Sequence, residues 1–135
     1  MFSKGKTITL LAGVCLFGMA SLAFAQAAVV THALADYKSA SQELIRLYTS
    51  AKDEAAAKVV AAQINAATKR QEAAGMGMSE AMKRLDPESQ QDVTLMENAF
   101  AEMQADNQAV ANAQLNAFAS QAAAKAQSAT QGQRK

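Results

Sequence analysis

Glycine and proline almost vanish from this chain after its first 25 residues. Across the remaining 110 positions only Gly75, Gly77, Pro87 and Gly132 occur, while alanine, glutamine, glutamate, lysine and methionine are abundant. These five residue types favour helices, and no alternating run of β-branched or aromatic residues indicates a strand. The sequence therefore predicts an all-α protein that consists of a few long helices.

The first 25 residues have the pattern of a cleavable signal peptide. Lys4 and Lys6 precede an apolar stretch over residues 7–22, and a triplet of small, large and small residues ends at Ala25. We expect cleavage between Ala25 and Gln26 and export to the cell envelope, with the periplasm favoured over secretion into the medium. An uncleaved N-terminal anchor is the alternative, and it is disfavoured because no stop-transfer pattern follows the apolar stretch.

The chain after this leader has few large apolar side chains. It contains 29 alanines but only 23 valine, isoleucine, leucine, methionine, phenylalanine and tyrosine residues, and it has no cysteine. A core made mostly of alanine is thin and no disulfide can reinforce it, so the domain needs close packing or a partner. Its 11 basic and 12 acidic residues lack the positive surplus that is typical of nucleic-acid-binding proteins.

Residues that can line a helix interface recur at spacings of three and four in three segments. We predict three helices in an elongated, antiparallel hairpin or bundle with coiled-coil-like stripes over residues 26–118, followed by a frayed or disordered tail over residues 119–135. The three stripes are Val30, Leu34, Tyr37, Ser41, Leu44 and Tyr48; Ala57, Val60, Ile64, Ala67, Gln71, Ala74, Met78, Ala81 and Leu85; and Val93, Met96, Phe100, Met103, Asn107, Val110, Gln114 and Ala117.

Different sequence signals indicate the two predicted connections. A break in the spacing places the first turn before Asp53, a candidate N-cap, and a continuous helix from Val30 to Leu85 is the alternative. Asp86 and Pro87 predict the start of the third helix, with the aspartate as its cap and the proline in its first turn.

Gly75 and Gly77 lie inside the second stripe, near its end. Two glycines cost a helix about 2 kcal/mol relative to alanine, yet the stripe passes through them in register. We interpret them as a kink or hinge. The alternative is that the second helix ends there and a short helix starts at Ser79.

Folding the three helices back on one another aligns Tyr37 with Ala67 and Asn107, and Ser41 with Ile64. Some stripe positions are polar, and a buried polar side chain without a partner is costly. We therefore expect these polar side chains to lie at the solvent-exposed edge of a shallow bundle, and we disfavour the alternative that they fix the register of the helices. These polar positions are Ser41, Gln71, Asn107 and Gln114.

The chain offers little for catalysis. His32 is its only histidine, which excludes a zinc site built on several histidines and a histidine-paired catalytic triad within one chain. No Glu-x-x-His pair and no glycine-rich phosphate loop occurs. We expect a protein that is not an enzyme and has no cofactor.

A methionine-rich segment near the end of the second helix is the one local feature with chemical potential. Met76, Met78 and Met82 carry thioethers, which are soft ligands that suit Cu(I), so a small Cu(I)-binding periplasmic protein is an alternative function. Methionine is also a flexible filler of helical cores, and we favour that interpretation.

The sequence thus predicts a non-enzymatic exported protein that acts by association in the cell envelope, either with a second copy or with another helical protein. A partner would complete the thin core and cover the apolar stripes. We expect no nucleic-acid partner and no membrane span after cleavage. The predicted interaction stripe comprises Leu34, Tyr37, Val60, Ile64, Met96, Phe100 and Met103.

Overall fold

Three helices make up the part of the chain that the structure describes. The computed structural model describes the backbone of residues 4–133 and the side chains of residues 22–133. Within that range the helices are α1 (Lys4–Ser50), α2 (Glu54–Met82) and α3 (Gln90–Gly132), and there is no strand. The predicted all-α class and the three-helix arrangement are confirmed.

α1 is the central helix of the bundle. Both α2 and α3 pack along α1, whereas they make very few contacts with each other. The fold is therefore a helical hairpin with a third helix added to the same central element, and its α2–α3 side is the least closed.

The first connection is a genuine break between two helices. Asp53 has extended backbone (φ −138°, ψ 174°), and its carboxylate accepts a hydrogen bond from the Ala56 amide (2.8 Å). This is the geometry of an N-cap, because the side chain serves an amide that has no partner inside the helix. The prediction of Asp53 as a cap is confirmed, and the continuous helix from Val30 to Leu85 is wrong.

The second connection lies at the predicted position, but a different residue caps the helix that follows it. Ser89, and not Asp86, caps α3, and its hydroxyl accepts from the Asp92 amide at 3.4 Å. The Asp86 carboxylate instead accepts from the Glu88 amide (2.9 Å) within the connection. This local turn holds Pro87 outside the helix, which therefore starts three residues later than the proline predicts.

α2 runs antiparallel to α1, about two helical turns away from the predicted alignment. The Gln71 side chain donates a hydrogen bond to the Ser41 hydroxyl (Nε2 to Oγ, 2.9 Å), where Ile64 was expected. The connection over residues 51–53 is not helical, so residue spacing counted through it does not fix where α2 returns along α1.

α3 runs parallel to α1, and here the predicted alignment of Tyr37 with Asn107 is confirmed. The Tyr37 hydroxyl donates to Asn107 Oδ1, and farther along Gln121 Nε2 donates to the Ala51 carbonyl oxygen at 2.9 Å. The two hydrogen bonds join residues with the same separation in sequence. α3 thus packs beyond residue 118, and residues 119–132, which were expected to fray, are helical as far as Gly132.

Two clusters of buried side chains lie along α1, one towards each connection. We call the one near the α2–α3 connection the methionine cluster and the one near the α1–α2 connection the leucine cluster. The methionine cluster consists of Val30, Met78, Ala81, Leu85 and Ala99, with Ala33, Leu34, Met82, Leu95, Met96 and Met103 packed against it; the leucine cluster consists of Leu44, Leu47 and Ala67, with Tyr48, Val60, Ile64 and Val110 packed against it.

The buried faces follow the second predicted stripe throughout and the third stripe except at two positions. Every position of the second stripe is buried or half-buried. In the third stripe Ala117 is buried and most other positions are half-buried, whereas Asn107 is exposed and Phe100 is 64% exposed beside the buried Ala99, which lies outside the stripe. Alanine at the contact lets the helices approach closely, so the large ring lies at the edge of the interface. Placing Phe100 in the buried stripe was therefore wrong.

The structure describes the side chains of the predicted leader only from residue 22 onwards. Side chains 22–25 are exposed, Gln26 and Ala27 are half-buried, and Val30 is fully buried in the methionine cluster. Over the residues that the structure describes, none of the helices has an apolar stretch that could cross a membrane.

Candidate functional site

A layer of four polar side chains lies between the two clusters. This polar layer consists of Tyr37, Ser41, Gln71 and Asn107. The Gln71 Nε2 atom donates to Ser41 Oγ and lies 3.5 Å from Asn107 Oδ1, the oxygen that also accepts from the Tyr37 hydroxyl. Ser41 Oγ in turn donates to the Tyr37 carbonyl oxygen at 2.9 Å. One connected network thus joins all three helices at one level.

The side chains of the polar layer differ in their exposure to solvent. Ser41 is fully buried, Gln71 is half-buried and Asn107 is exposed. The expectation of a solvent-exposed edge therefore holds for Asn107 and is wrong for Ser41, which is buried with its hydrogen bonds made. Burial raises the pKa of the Tyr37 hydroxyl; the hydrogen bond to Asn107 opposes this rise and the nearby Asp106 carboxylate adds to it.

The Tyr37 ring explains one of the two glycines of α2. A Cβ atom added at Gly75 would lie 3.4 Å from Tyr37 Cε2, whereas a Cβ at Gly77 would have no neighbour within 4 Å. Tyr37 therefore faces Gly75, and not Ala67 as the sequence predicted. α2 continues through both glycines to Met82, so the alternative in which it ends there is wrong. The hinge stays a prediction.

An apolar groove lies between α2 and α3, close to their connection. It has a volume of about 530 Å³, and we call it the methionine groove. Met82 and Met96 line it from opposite sides and also pack against the methionine cluster. Phe100 projects at its edge, where the ring is largely exposed to solvent. The residues that line the groove are Ser79, Met82 and Lys83 of α2, and Met96, Glu97 and Phe100 of α3.

The three methionines predicted as Cu(I) ligands do not converge on one point. Met76 is 67% exposed, whereas Met78 is 0% exposed inside the methionine cluster. Residues two apart in a helix point in nearly opposite directions, so these two thioethers face different sides of α2. Met82 comes four residues after Met78, so it lies on the same side of α2 as Met78, and it faces Met96 across the groove.

Most of the predicted interaction stripe is used within the molecule. Phe100 is the one member of that set with a largely exposed side chain. Leu34, Met96 and Met103 pack against the methionine cluster, and Val60 and Ile64 pack against the leucine cluster. Tyr37, the remaining member, is buried in the polar layer. The part of the predicted stripe that stays open to solvent is therefore the groove edge around Phe100.

Sequence analysis missed the polar residues around the methionine groove. Lys83 and Glu97 flank the apolar floor, and the Lys83 ammonium is held 2.7 Å from the Glu80 carboxylate. The signal for the groove was available in the positions of Met82 and Met96, which lie on either side of the second connection, one at the end of α2 and the other in the second turn of α3. The neighbouring ends of an antiparallel helix pair lie side by side.

Ionisable side chains do not form a metal-binding cluster in the described part of the chain. No group of three or more histidine, cysteine, aspartate or glutamate side chains is placed to hold a metal ion there. The exposed His32 pairs with Asp36 (Nδ1 to Oδ2, 3.1 Å), one helical turn away on α1.

The chain was compared with protein-family models, curated proteins and solved structures. No family model, no curated protein and no solved structure matches it.

Proposed function

We propose that this protein is exported to the cell envelope and acts there by association, without catalysis, through the methionine groove. The observation that carries the proposal is the gap between α2 and α3, which pack on α1 but hardly on each other. A helix from a second copy, or from another helical protein, would lie in this gap and complete a four-helix arrangement.

The groove has the composition expected of an association surface. Its floor is formed by Met82 and Met96, and Phe100 stands beside them with most of its ring in water. Burying one such ring contributes about 1.5–3 kcal/mol, and flexible methionines adapt to partners of different shape. Lys83 and Glu97 supply a polar rim around the apolar centre, as is usual in protein interfaces.

Phe118 extends the same edge of α3 towards its C-terminal half. It is 57% exposed and lies eighteen residues, or five helical turns, from Phe100. The two rings therefore project from nearly the same side of α3. A partner helix that packs along α3 could cover both rings.

Sedimentation equilibrium of the full-length chain tests self-association. We expect Phe100→Ala to weaken it at least about tenfold, because the ring is lost from the contact. Val59→Ala is the matched control, since Val59 is 76% exposed but lies outside the groove and both clusters. A helical monomer at all concentrations would contradict association with a second copy.

Association with another protein calls for a site-specific measurement. A photo-crosslinking residue at position 100 should capture a defined partner in the cell envelope, and one at position 59 should not. Equal capture from both positions would count against the groove.

Export is supported by the packing on either side of the predicted cleavage site. The described side chains before it, 22–25, are exposed, whereas Val30 after it lies in the methionine cluster, so the residues that form both clusters would remain in the cleaved chain. We expect N-terminal sequencing of the protein from an envelope fraction to begin at Gln26. An intact N-terminus in that fraction would contradict cleavage, and recovery from the cytoplasm alone would contradict export.

A further inference from the structure

The methionines of the bundle differ sharply in their access to solvent. Met76 projects from α2 into water, and Met78 is completely buried. Met82 and Met96 are intermediate: they reach solvent through the methionine groove and at the same time pack against the methionine cluster. These two thioethers are thus both reachable by a small molecule and part of the packing.

We propose that Met82 and Met96 form an oxidation-sensitive site for small peroxides. In the reaction an oxygen atom of the peroxide bonds to the thioether sulfur, its O–O bond breaks, and the rest of the peroxide leaves as water or an alcohol. The sulfur loses two electrons and the peroxide gains them. The product, methionine sulfoxide, is polar where the thioether was apolar.

The position of the two sulfurs gives this reaction a structural effect. A sulfoxide oxygen requires a hydrogen-bond partner, and the side chains of the methionine cluster are apolar, so donors lie on the groove side, with Ser79, Lys83 and water. Oxidation at Met82 and Met96 therefore favours a loosened packing of these two side chains against the cluster, in which the new oxygens turn to the groove. Met76 has no packing to lose, so its oxidation has no such effect.

No thiol competes with the thioethers within the bundle, because residues 26–133 contain no cysteine. Met103 is half-buried against the same cluster but does not line the groove through which Met82 and Met96 reach solvent. The site deepens the proposed function, on which its biological meaning rests: an oxidised groove presents a polar floor to a partner and binds it less tightly.

Peptide mapping after graded hydrogen peroxide treatment of the full-length chain tests the site. We expect Met76, Met82 and Met96 to be oxidised well before Met78, which is protected until the bundle opens. Thermal unfolding followed by circular dichroism should then show a midpoint about 4–8 °C lower for the oxidised protein.

Two variants assign the effect to its sulfurs. The double variant Met82→Leu with Met96→Leu keeps the volume of the side chains and should lose the peroxide-induced shift, whereas Met76→Leu should keep it. Oxidation of Met78 together with Met82 and Met96, or an equal shift in both variants, would overturn the proposal. Because this measurement needs no partner, it can succeed where self-association fails, and the two proposals fail separately.

Discussion

The methionine cluster and the leucine cluster are built from the same three helices but in different ways. All three helices contribute several side chains to the methionine cluster, and flexible thioethers fill much of its volume. The leucine cluster is formed almost entirely by α1 and α2, and Val110 is its single residue from α3. Branched side chains with few rotamers specify one packing, whereas methionine permits several.

This difference matches the division between structure and binding that we propose. The leucine cluster fixes the α1–α2 hairpin, and Leu44 and Leu47 are almost completely buried there. The methionine cluster lies under the groove that we propose as the association surface, and its flexible side chains suit that proposal.

The largest expected effect comes from truncation in the leucine cluster. We expect Leu47→Ala to lower the free energy of unfolding by about 3 kcal/mol, because a buried leucine leaves a cavity in a rigid surrounding. Met82→Ala should cost only about 1–2 kcal/mol, since Met82 is half-buried and its neighbours adjust. Urea unfolding followed by circular dichroism measures both. Equal losses would show that the two clusters are equally rigid.

A smaller loss is expected from the polar layer between the clusters. Asn107→Ala removes the oxygen that accepts from Tyr37 and lies near the Gln71 amide. We expect a loss of about 1–2 kcal/mol in the free energy of unfolding, because the Tyr37 hydroxyl is left without this acceptor. The neighbouring exposed Gln108 provides the control through Gln108→Ala. A loss no larger than that of the control would mean that water replaces the network without cost.

Helix positions were predictable from sequence because they depend on local signals. The scarcity of glycine and proline, the Asp53 cap and the residue spacing on α2 are signals that act within a few residues. The long helices, the cap and the buried face of α2 that they predict are confirmed. The cap of α3 failed for the same local reason, since Asp86 and Ser89 are both good caps and only the turn at Pro87 decides between them.

The alignment of the helices and the groove depend on distances that sequence spacing does not contain. The register of α2 was wrong because residues 51–53 form a connection that is not helical, and residue spacing does not set the alignment through it. Phe100 was placed in the core because a stripe cannot distinguish it from the adjacent Ala99 when helices approach closely. The groove could be anticipated only in part, from Met82 and Met96 on either side of one turn.

The two glycines of α2 provide a third comparison, between the polar layer and open solvent. We expect Gly77→Ala to raise the free energy of unfolding by about 0.5–1 kcal/mol, because alanine favours the helix and nothing lies within 4 Å of its methyl group. Gly75→Ala should gain less, since its Cβ would touch the Tyr37 ring at 3.4 Å. Equal gains in urea unfolding would show that the ring moves aside freely, and lower stability for Gly77→Ala would indicate that the helix bends there.

The smallest effect is a pH dependence confined to the polar layer. The folded state raises the pKa of Tyr37 above its ordinary value of 10.0, chiefly through burial, so the folded protein holds the hydroxyl proton more tightly than the unfolded chain does. The contribution to stability is therefore complete below pH 10 and declines as the pH rises through the folded-state pKa.

Tyr37→Phe removes the titrating group, so its stability should fall less steeply above pH 10 than that of the wild type, although at pH 7 it lacks the hydrogen bond to Asn107. Urea unfolding at neutral and alkaline pH measures both slopes. Parallel slopes would show that Tyr37 titrates alike in both states, and that the polar layer is as wet at Tyr37 as it is at Asn107.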